Sequence, residues 1–408
     1  MKKIAILHWG ELTINAYYLA YALHQHNISI DFYLYSPRQA YKRSYLRNLR
    51  DRVKSEFCVT EFKSSIVEAG LIKCSALFNN NENSQADRCL NPYLASKTRK
   101  IIRTKKYEYI ITTGQTSLYW LYKTDQDALK KTIHYSLEIQ KVTDPHFITP
   151  AFAKILEWEA RLLKKVMGLI VQDVFRAEAL LNCKIDNSKL SFFFIPVSIL
   201  SKNASDKNYY LHTQLNISPQ KKVLLYFGAV YTERFLEQIS ETFENQLDDS
   251  WVLVYHGPDK FSEKIAKYNK TKISSAGIEY ENLHLIMRSA TIGLAFYDNS
   301  WPNTRLTAFS SEKIARYLEV GVPFIAFENE SYLKLKNEFN CCMLLNDIAD
   351  LSNAIRVIMN DYESYQANSF KAFNKYYNIT NSILPLSNFI KEKQLHGWHN
   401  NLEDHTVN

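Results

Sequence analysis

Residues 310–326 read SSEKIARYLEVGVPFIA, and this stretch decides the fold. Ser310 or Ser311 stands where a helix N-cap belongs, because a short hydroxyl side chain accepts from the open N–H groups of a first turn. Gly321 closes the helix Ser311–Val320 as its C-cap, and Pro323 prevents its continuation. Pro323–Phe327 then reads as a strand. Lys313 falls in the first turn, where the helix dipole disfavours a cation. A lysine there makes sense when an anion shares the helix start, where backbone N–H groups point outward. Taken alone, the stretch reads better as a helix with ordinary punctuation.

Working outward, Leu224–Arg234 reads LLYFGAVYTER. A buried strand ends at Gly228, and Arg234 follows six residues later. Glycine at a strand end lets backbone approach a ligand closely, and a nearby arginine suits a phosphate. The same arginine also suits an ordinary helix surface.

Short apolar runs alternate with helical patterns along the whole chain. Strands are expected at Lys3–His8, Ser29–Tyr35, Tyr109–Thr113, Thr132–Leu137, Gly168–Gln172 and Ser191–Ile195. Helices are expected at Ile14–Gln25, Phe152–Lys165 and Asp173–Leu181. The polar stretch Leu200–Gln220 reads as a linker, and the alternation restarts at Val223–Phe227. It continues with the helix Glu233–Glu244 and the strands Val252–Tyr255 and Thr291–Tyr297. Two such alternations predict an α/β protein of two doubly wound, Rossmann-like domains, residues 1–200 and 201–380, with a ligand site in the cleft between them. Residues 381–408 form a tail, read as a helix returning to the first domain.

Composition agrees with a folded enzyme-sized protein. The chain has 408 residues, 46% of them apolar and 23% charged, which excludes disordered and collagen-like classes. It holds only 10 glycines, against a usual share of about 7%, and 27 tyrosines. The six cysteines lack CxxC spacing and a histidine cluster, so neither a zinc site nor a redox motif is expected. The start, MKKIAILHWG, reads as a buried strand and not a leader, and no apolar run reaches membrane-spanning length. The net charge is +8, and residues 38–106 carry 16 Lys/Arg against 6 Asp/Glu. That segment, read as mostly helical with a surface loop at Asn79–Asp87, suits an anionic membrane surface or equally a solvated face. No nucleic-acid motif accompanies it.

The second half resembles the C-terminal domain of GT-B glycosyltransferases related to family 4. The resemblance rests on Gly228 with Arg234, on the strand leading to His256-Gly257-Pro258, and on Leu285–Tyr297. It extends to the loop residue Asn303 and to the pattern Ser310, Lys313, Tyr317, Leu318, Gly321, Pro323 and Ile325. In the first half, Glu157 or Glu159, Gly168–Gln172, Arg176 and Phe193–Pro196 fit the same family more loosely. The resemblance implies the GT-B fold and transfer of a sugar from a nucleotide-sugar to an acceptor hydroxyl, in polysaccharide or glycolipid assembly. It implies no cofactor and no metal, with Lys313 and Arg234 neutralising the leaving diphosphate and configuration retained. Gly228, Gly257, Asn303, Ser310, Ser311, Lys313 and Arg316 fall on the donor side. His8 and Glu138 are candidate catalytic groups, and Gly10, Glu11, Gly114 and Gln115 face the acceptor, a glycan or lipid-linked sugar. A cytoplasmic protein, peripheral at the inner membrane face, is expected. One position departs from the family. Arg316 replaces the glutamate that commonly binds the donor ribose, and that glutamate's earlier partner falls at Ala308. This motivates a second reading, a non-catalytic homologue acting as a scaffold.

Overall fold

The structure, a computed structural model, describes residues 3–9, 13–36, 44–63, 92–140, 150–201, 208–228, 233–257, 265, 267–274 and 277–392. The chain divides into two compact units. One is Met1–Ile195 with Ile383–Asn408, and the other is Pro196–Ser382.

The first unit holds a parallel sheet of strands β1 (Lys3–Trp9), β2 (Ser29–Ser36), β3 (Cys58–Lys63), β4 (Tyr109–Thr113), β5 (Thr132–Tyr135), β6 (Gly168–Val171) and β7 (Ser191–Phe194). Their spatial order is β3-β2-β1-β4-β5-β6-β7. The order reverses between β1 and β4, and in such sheets ligands bind outside the strand ends at that point. β1 is an interior strand, and Ile4, Ala5, Ile6 and Leu7 are all fully buried. That is why it reads as a continuous apolar run and not as an alternation. The helix Leu384–Lys391 belongs to this unit. Its Phe389 ring packs against Tyr109 and Phe193.

The second unit holds a parallel sheet of β8 (Lys222–Phe227), β9 (Trp251–His256), β10 (Thr271–Ser274), β11 (Ile292–Leu294), β12 (Phe324–Phe327) and β13 (Cys342–Leu345). The order is β10-β9-β8-β11-β12-β13, with its reversal between β8 and β11. The helix Glu312–Glu319 packs on this sheet through Tyr317. The Tyr317 hydroxyl donates to the carbonyl of Leu225 (2.8 Å) and approaches that of Leu294 (3.4 Å). Its ring lies where a side chain on Gly293 would stand, 2.5 Å from the position of a Cβ.

Some expectations need correction. The basic segment is mostly helical where it is described, through Ser44–Glu56 and Pro92–Lys105, but a strand that was not expected, β3, lies between those helices and pairs with β2. Its cysteine, valine and threonine favour a strand despite the flanking charge. β10 and β13, the two edge strands of the second sheet, were not expected. The expected strand Thr132–Leu137 stops at Tyr135. Leu200–Gln220 is not a bare linker, since Tyr210–Gln214 is helical and the Leu211 N–H donates to Ser289 Oγ at 3.1 Å. Asn79–Asp87 lies outside the described residues. The scarcity of glycine also finds its explanation. Four of the five described non-glycine residues with positive φ are asparagines, at 27, 182, 216 and 340. Asparagine tolerates the left-handed conformation through local hydrogen bonding, so it closes turns here in glycine's place.

Candidate functional site

In the second unit the point of reversal gathers most donor-side candidates. Gly228 follows β8 with φ 102°, a conformation that L side chains rarely adopt. A Cβ there would lie 3.6 Å from Lys313 Cε, so the strand end and the lysine stem are in contact range. Lys313 is 7% exposed. Its ammonium stands 4.1 Å from the Tyr226 ring centroid and 4.8 Å from that of Tyr297. Among the described residues no carboxylate pairs with it. Burial alone pulls the amine down to about 7 from its ordinary 10.5. Two aromatic faces offset part of the cost of burying that charge.

Beside the lysine, the Tyr297 and Ser311 hydroxyls are 2.6 Å apart. Ser311 is the N-cap residue of the helix Glu312–Glu319, but its side chain makes no cap bond. The first-turn N–H groups of that helix therefore have neither an intrahelical carbonyl nor the usual hydroxyl. A buried cation beside an uncapped helix start is a site for an anion. Ser310 turns away, its hydroxyl donating to Leu306 O at 3.0 Å. Gly257 follows β9, so close to Gly228 that a Cβ on it would stand 2.5 Å from the Gly228 carbonyl oxygen. His256 stacks on Phe227 at 5.5 Å with rings 3° apart and meets Ser274 Oγ at 2.9 Å. Burial lowers its imidazole below the ordinary value.

Arg316 is 2% exposed and is held by two carboxylates of its own helix. Glu312 Oε1 accepts from Nη2 at 3.1 Å, and Glu319 Oε2 accepts from Nη1 at 3.4 Å. Tyr280 also donates to Glu312, and its ring lies 5.0 Å from the guanidinium. Ala308 is fully buried, with its carbonyl accepting from Tyr377 at 2.7 Å. Asn303 sits in the short helix Pro302–Arg305. Arg234 is the second residue of the helix Glu233–Gln246, and its side chain lies outside the described part.

In the first unit the reversal lies between His8 and Thr113, which are paired in register. His8 Nδ1 and Thr113 Oγ1 are 2.5 Å apart, and the Thr113 hydroxyl donates to Leu7 O at 3.2 Å. The Trp9 N–H donates to Ser117 Oγ at 2.8 Å. Gly114 (φ 75°) opens the helix Gln115–Thr124, and the Gln115 amide donates to Glu138 O at 3.0 Å. Glu138 is exposed just beyond β5. Gly10 and Glu11 lie outside the described residues. The aromatic pair around Lys313 is absent from the sequence reading, although Tyr226 and Tyr297 stand in the stretches that flagged Gly228 and β11. Among the described residues, no group of three or more His, Cys, Asp or Glu is arranged to hold a metal ion. No described helix is long and apolar enough to cross a membrane.

No protein-family model matches the chain, and no curated protein is similar to it in sequence at a significant level. Solved structures are similar in fold. Sucrose-phosphate synthase from Thermosynechococcus elongatus superposes with TM-score 0.66 at 13% identity, over 96% of this chain and 98% of that one. HepE from Anabaena, solved in complex with UDP and glucose, gives 0.64 at 10% identity over 96% and 100%. A glycosyltransferase from Rickettsia africae gives 0.62 at 12% over 97% and 100%. With two parallel sheets, each reversing its strand order once, the chain has the GT-B fold of these glycosyltransferases.

Proposed function

We propose that the protein is a glycosyltransferase, with the second unit holding a nucleotide-sugar and the first an acceptor hydroxyl. The observation that carries this reading is Lys313, a buried amine that has no carboxylate partner among the described residues and stands beside an uncapped helix start. A diphosphate supplies the missing negative charge. As the glycosidic bond breaks, charge grows on the leaving phosphate, and a preformed cation with backbone N–H groups stabilises it without reorganisation. Arg234 adds a second cation on this reading, so no metal is required. His8, at the strand reversal of the first sheet, is the candidate group to take the acceptor's proton. The fold likeness to a structure solved with UDP-glucose supports a donor of that class. Retention of configuration follows the family resemblance, and an NMR assignment of the product anomer decides it. The basic segment 38–106 supports a lipid-linked acceptor at an anionic membrane. Reversing charges between Arg38 and Lys54 should then abolish binding to anionic vesicles.

The direct test is a thermal-shift screen with UDP-, GDP- and dTDP-sugars, followed by turnover of Lys313→Ala. Loss of one such donor costs about 10²–10³ in rate. An unchanged rate in Lys313→Ala removes the phosphate assignment. A second reading, a non-catalytic scaffold, is favoured by Arg316, because the position where the resemblance places a ribose-binding carboxylate holds a neutralised guanidinium. Silence across the whole donor screen selects it.

A further inference from the structure

Beyond β5 the chain runs through Ser136–Gln140 without helix or strand. Three successive carbonyls there are each held by a side chain from a different place. Ser136 O accepts from Gln172 Nε2 at 2.8 Å, Leu137 O from Arg176 Nη2 at 3.3 Å, and Glu138 O from Gln115 Nε2 at 3.0 Å. Gln172 in turn accepts from Arg176 Nε at 2.7 Å, and the Arg176 N–H donates to the Asp173 carboxylate at 2.7 Å. Gln115, Gln172 and Arg176 are all buried. The Glu159 carboxylate meets His134 Nε2 at 3.3 Å.

A surface turn needs none of this, because water satisfies its carbonyls. Burying a guanidinium is costly, and two of the bonds Arg176 makes go to neutral acceptors. Burial pulls its pKa below the ordinary value, with the charges of Glu138 and Asp173 acting the other way. What the clamp fixes is the backbone that carries Glu138. That side chain is exposed at the carboxyl edge of the sheet, and among the described residues it makes no hydrogen bond or ion pair. The Gln115 bond ties it to the helix that opens at the point of strand reversal.

We propose that Gln115, Gln172 and Arg176 are positioning residues that lock Ser136–Glu138, so that the Glu138 carboxylate accepts a hydrogen bond from a hydroxyl of a sugar acceptor. The proposal rests on the glycosyltransferase reading above. A carboxylate held in place binds a hydroxyl without the entropy cost of ordering a mobile loop.

The variants are Gln172→Ala, Arg176→Lys and Glu138→Gln. Hydrogen exchange on the full chain should show amides 136–140 exchanging at least ~10-fold faster in Gln172→Ala and Arg176→Lys, with other segments unchanged. Unchanged exchange there overturns the clamp. Octyl β-glycosides of glucose, galactose and N-acetylglucosamine serve as acceptor probes under saturating nucleotide-sugar. Gln172→Ala and Glu138→Gln should each raise the acceptor KM about tenfold, with donor KM unchanged, and the double variant should be no worse than either single one. Additive effects, or an unmoved acceptor KM, overturn the role of Glu138. Failure of the native protein to bind any nucleotide-sugar overturns the glycosyltransferase reading and the acceptor role with it. The exchange measurement still decides the clamp in that case. Should Arg176→Lys fail to fold, Gln172→Ala carries both arms, because it leaves the charge in place.

Discussion

Lys313 and Tyr226 form a cation–ring contact at 4.1 Å, with the lysine on the helix Glu312–Glu319 and the tyrosine on β8. The contact holds a charge that burial disfavours at the place where the helix start opens. Stability and ligand binding therefore pull on this lysine in opposite directions.

The first consequence is a stability gain on removing the charge. The folded amine titrates near 7 and the unfolded one near 10.5. Between these values the unfolded chain holds a proton that the folded chain lacks, so stability rises with pH across that window. Below 7 the full cost of burying the ammonium is present. Lys313→Met should therefore stabilise the protein at pH 6, by on the order of a few kcal/mol, with the gain fading toward pH 10. Urea unfolding at both pH values checks this, and a constant difference contradicts it.

The ligand has the opposite effect. A diphosphate favours the protonated lysine and raises its pKa, so UDP binding near pH 8 should take up a proton. Affinity should fall as pH rises above about 7. Calorimetry in buffers of different ionisation enthalpy reads the proton directly. No uptake means that the anion does not contact Lys313.

Gly228→Ala forces an L side chain into a left-handed conformation and places a methyl group 3.6 Å from the lysine stem. The strain should cost about 1–2 kcal/mol. Nucleotide affinity should fall with it, because the backbone at the strand end must shift. Thermal unfolding with and without UDP separates the two losses.

Placing at position 316 the glutamate that the resemblance expects should not create a ribose-binding site. Arg316→Glu would place a third carboxylate beside Glu312 and the buried Glu319. Removing the cation from a buried pair costs about 3–5 kcal/mol. Arg316→Met should show that loss, and Arg316→Met with Glu319→Met should recover most of it. A double variant as unstable as the single one would show that the ion pair is not what Arg316 contributes.

The parts of the fold that were legible in the sequence are those with long signals. β1 and β8 are unbroken apolar runs, and Gly321 with Pro323 punctuates a helix in a way that tertiary contacts do not override. β10 and β13 are the two edge strands of their sheet, each paired on one side only, and no local pattern announces them, whereas the equally short β5, β6, β7 and β12 were legible. At the site, Gly228 and Lys313 were legible, and the structure brings them together. Tyr226 was not, since alternation along a strand tells which face a residue takes but not which helix lies on that face. The neutralisation of Arg316 had a signal that went unused. Glu312 and Glu319 stand four residues before it and three after, the spacings at which helix side chains meet.

Tyr317 and Gly293 have a further consequence, in the terms of inheritance. A side chain at 293 would collide with the ring at 317, and a smaller residue at 317 would leave a void beside Gly293 and remove the hydroxyl's bond to the Leu225 carbonyl. Neither position can be replaced first without loss. Among descendants of this chain the glycine and the tyrosine should be kept together or exchanged together. A pair that separates freely across an aligned family would show that the helix does not depend on this anchor.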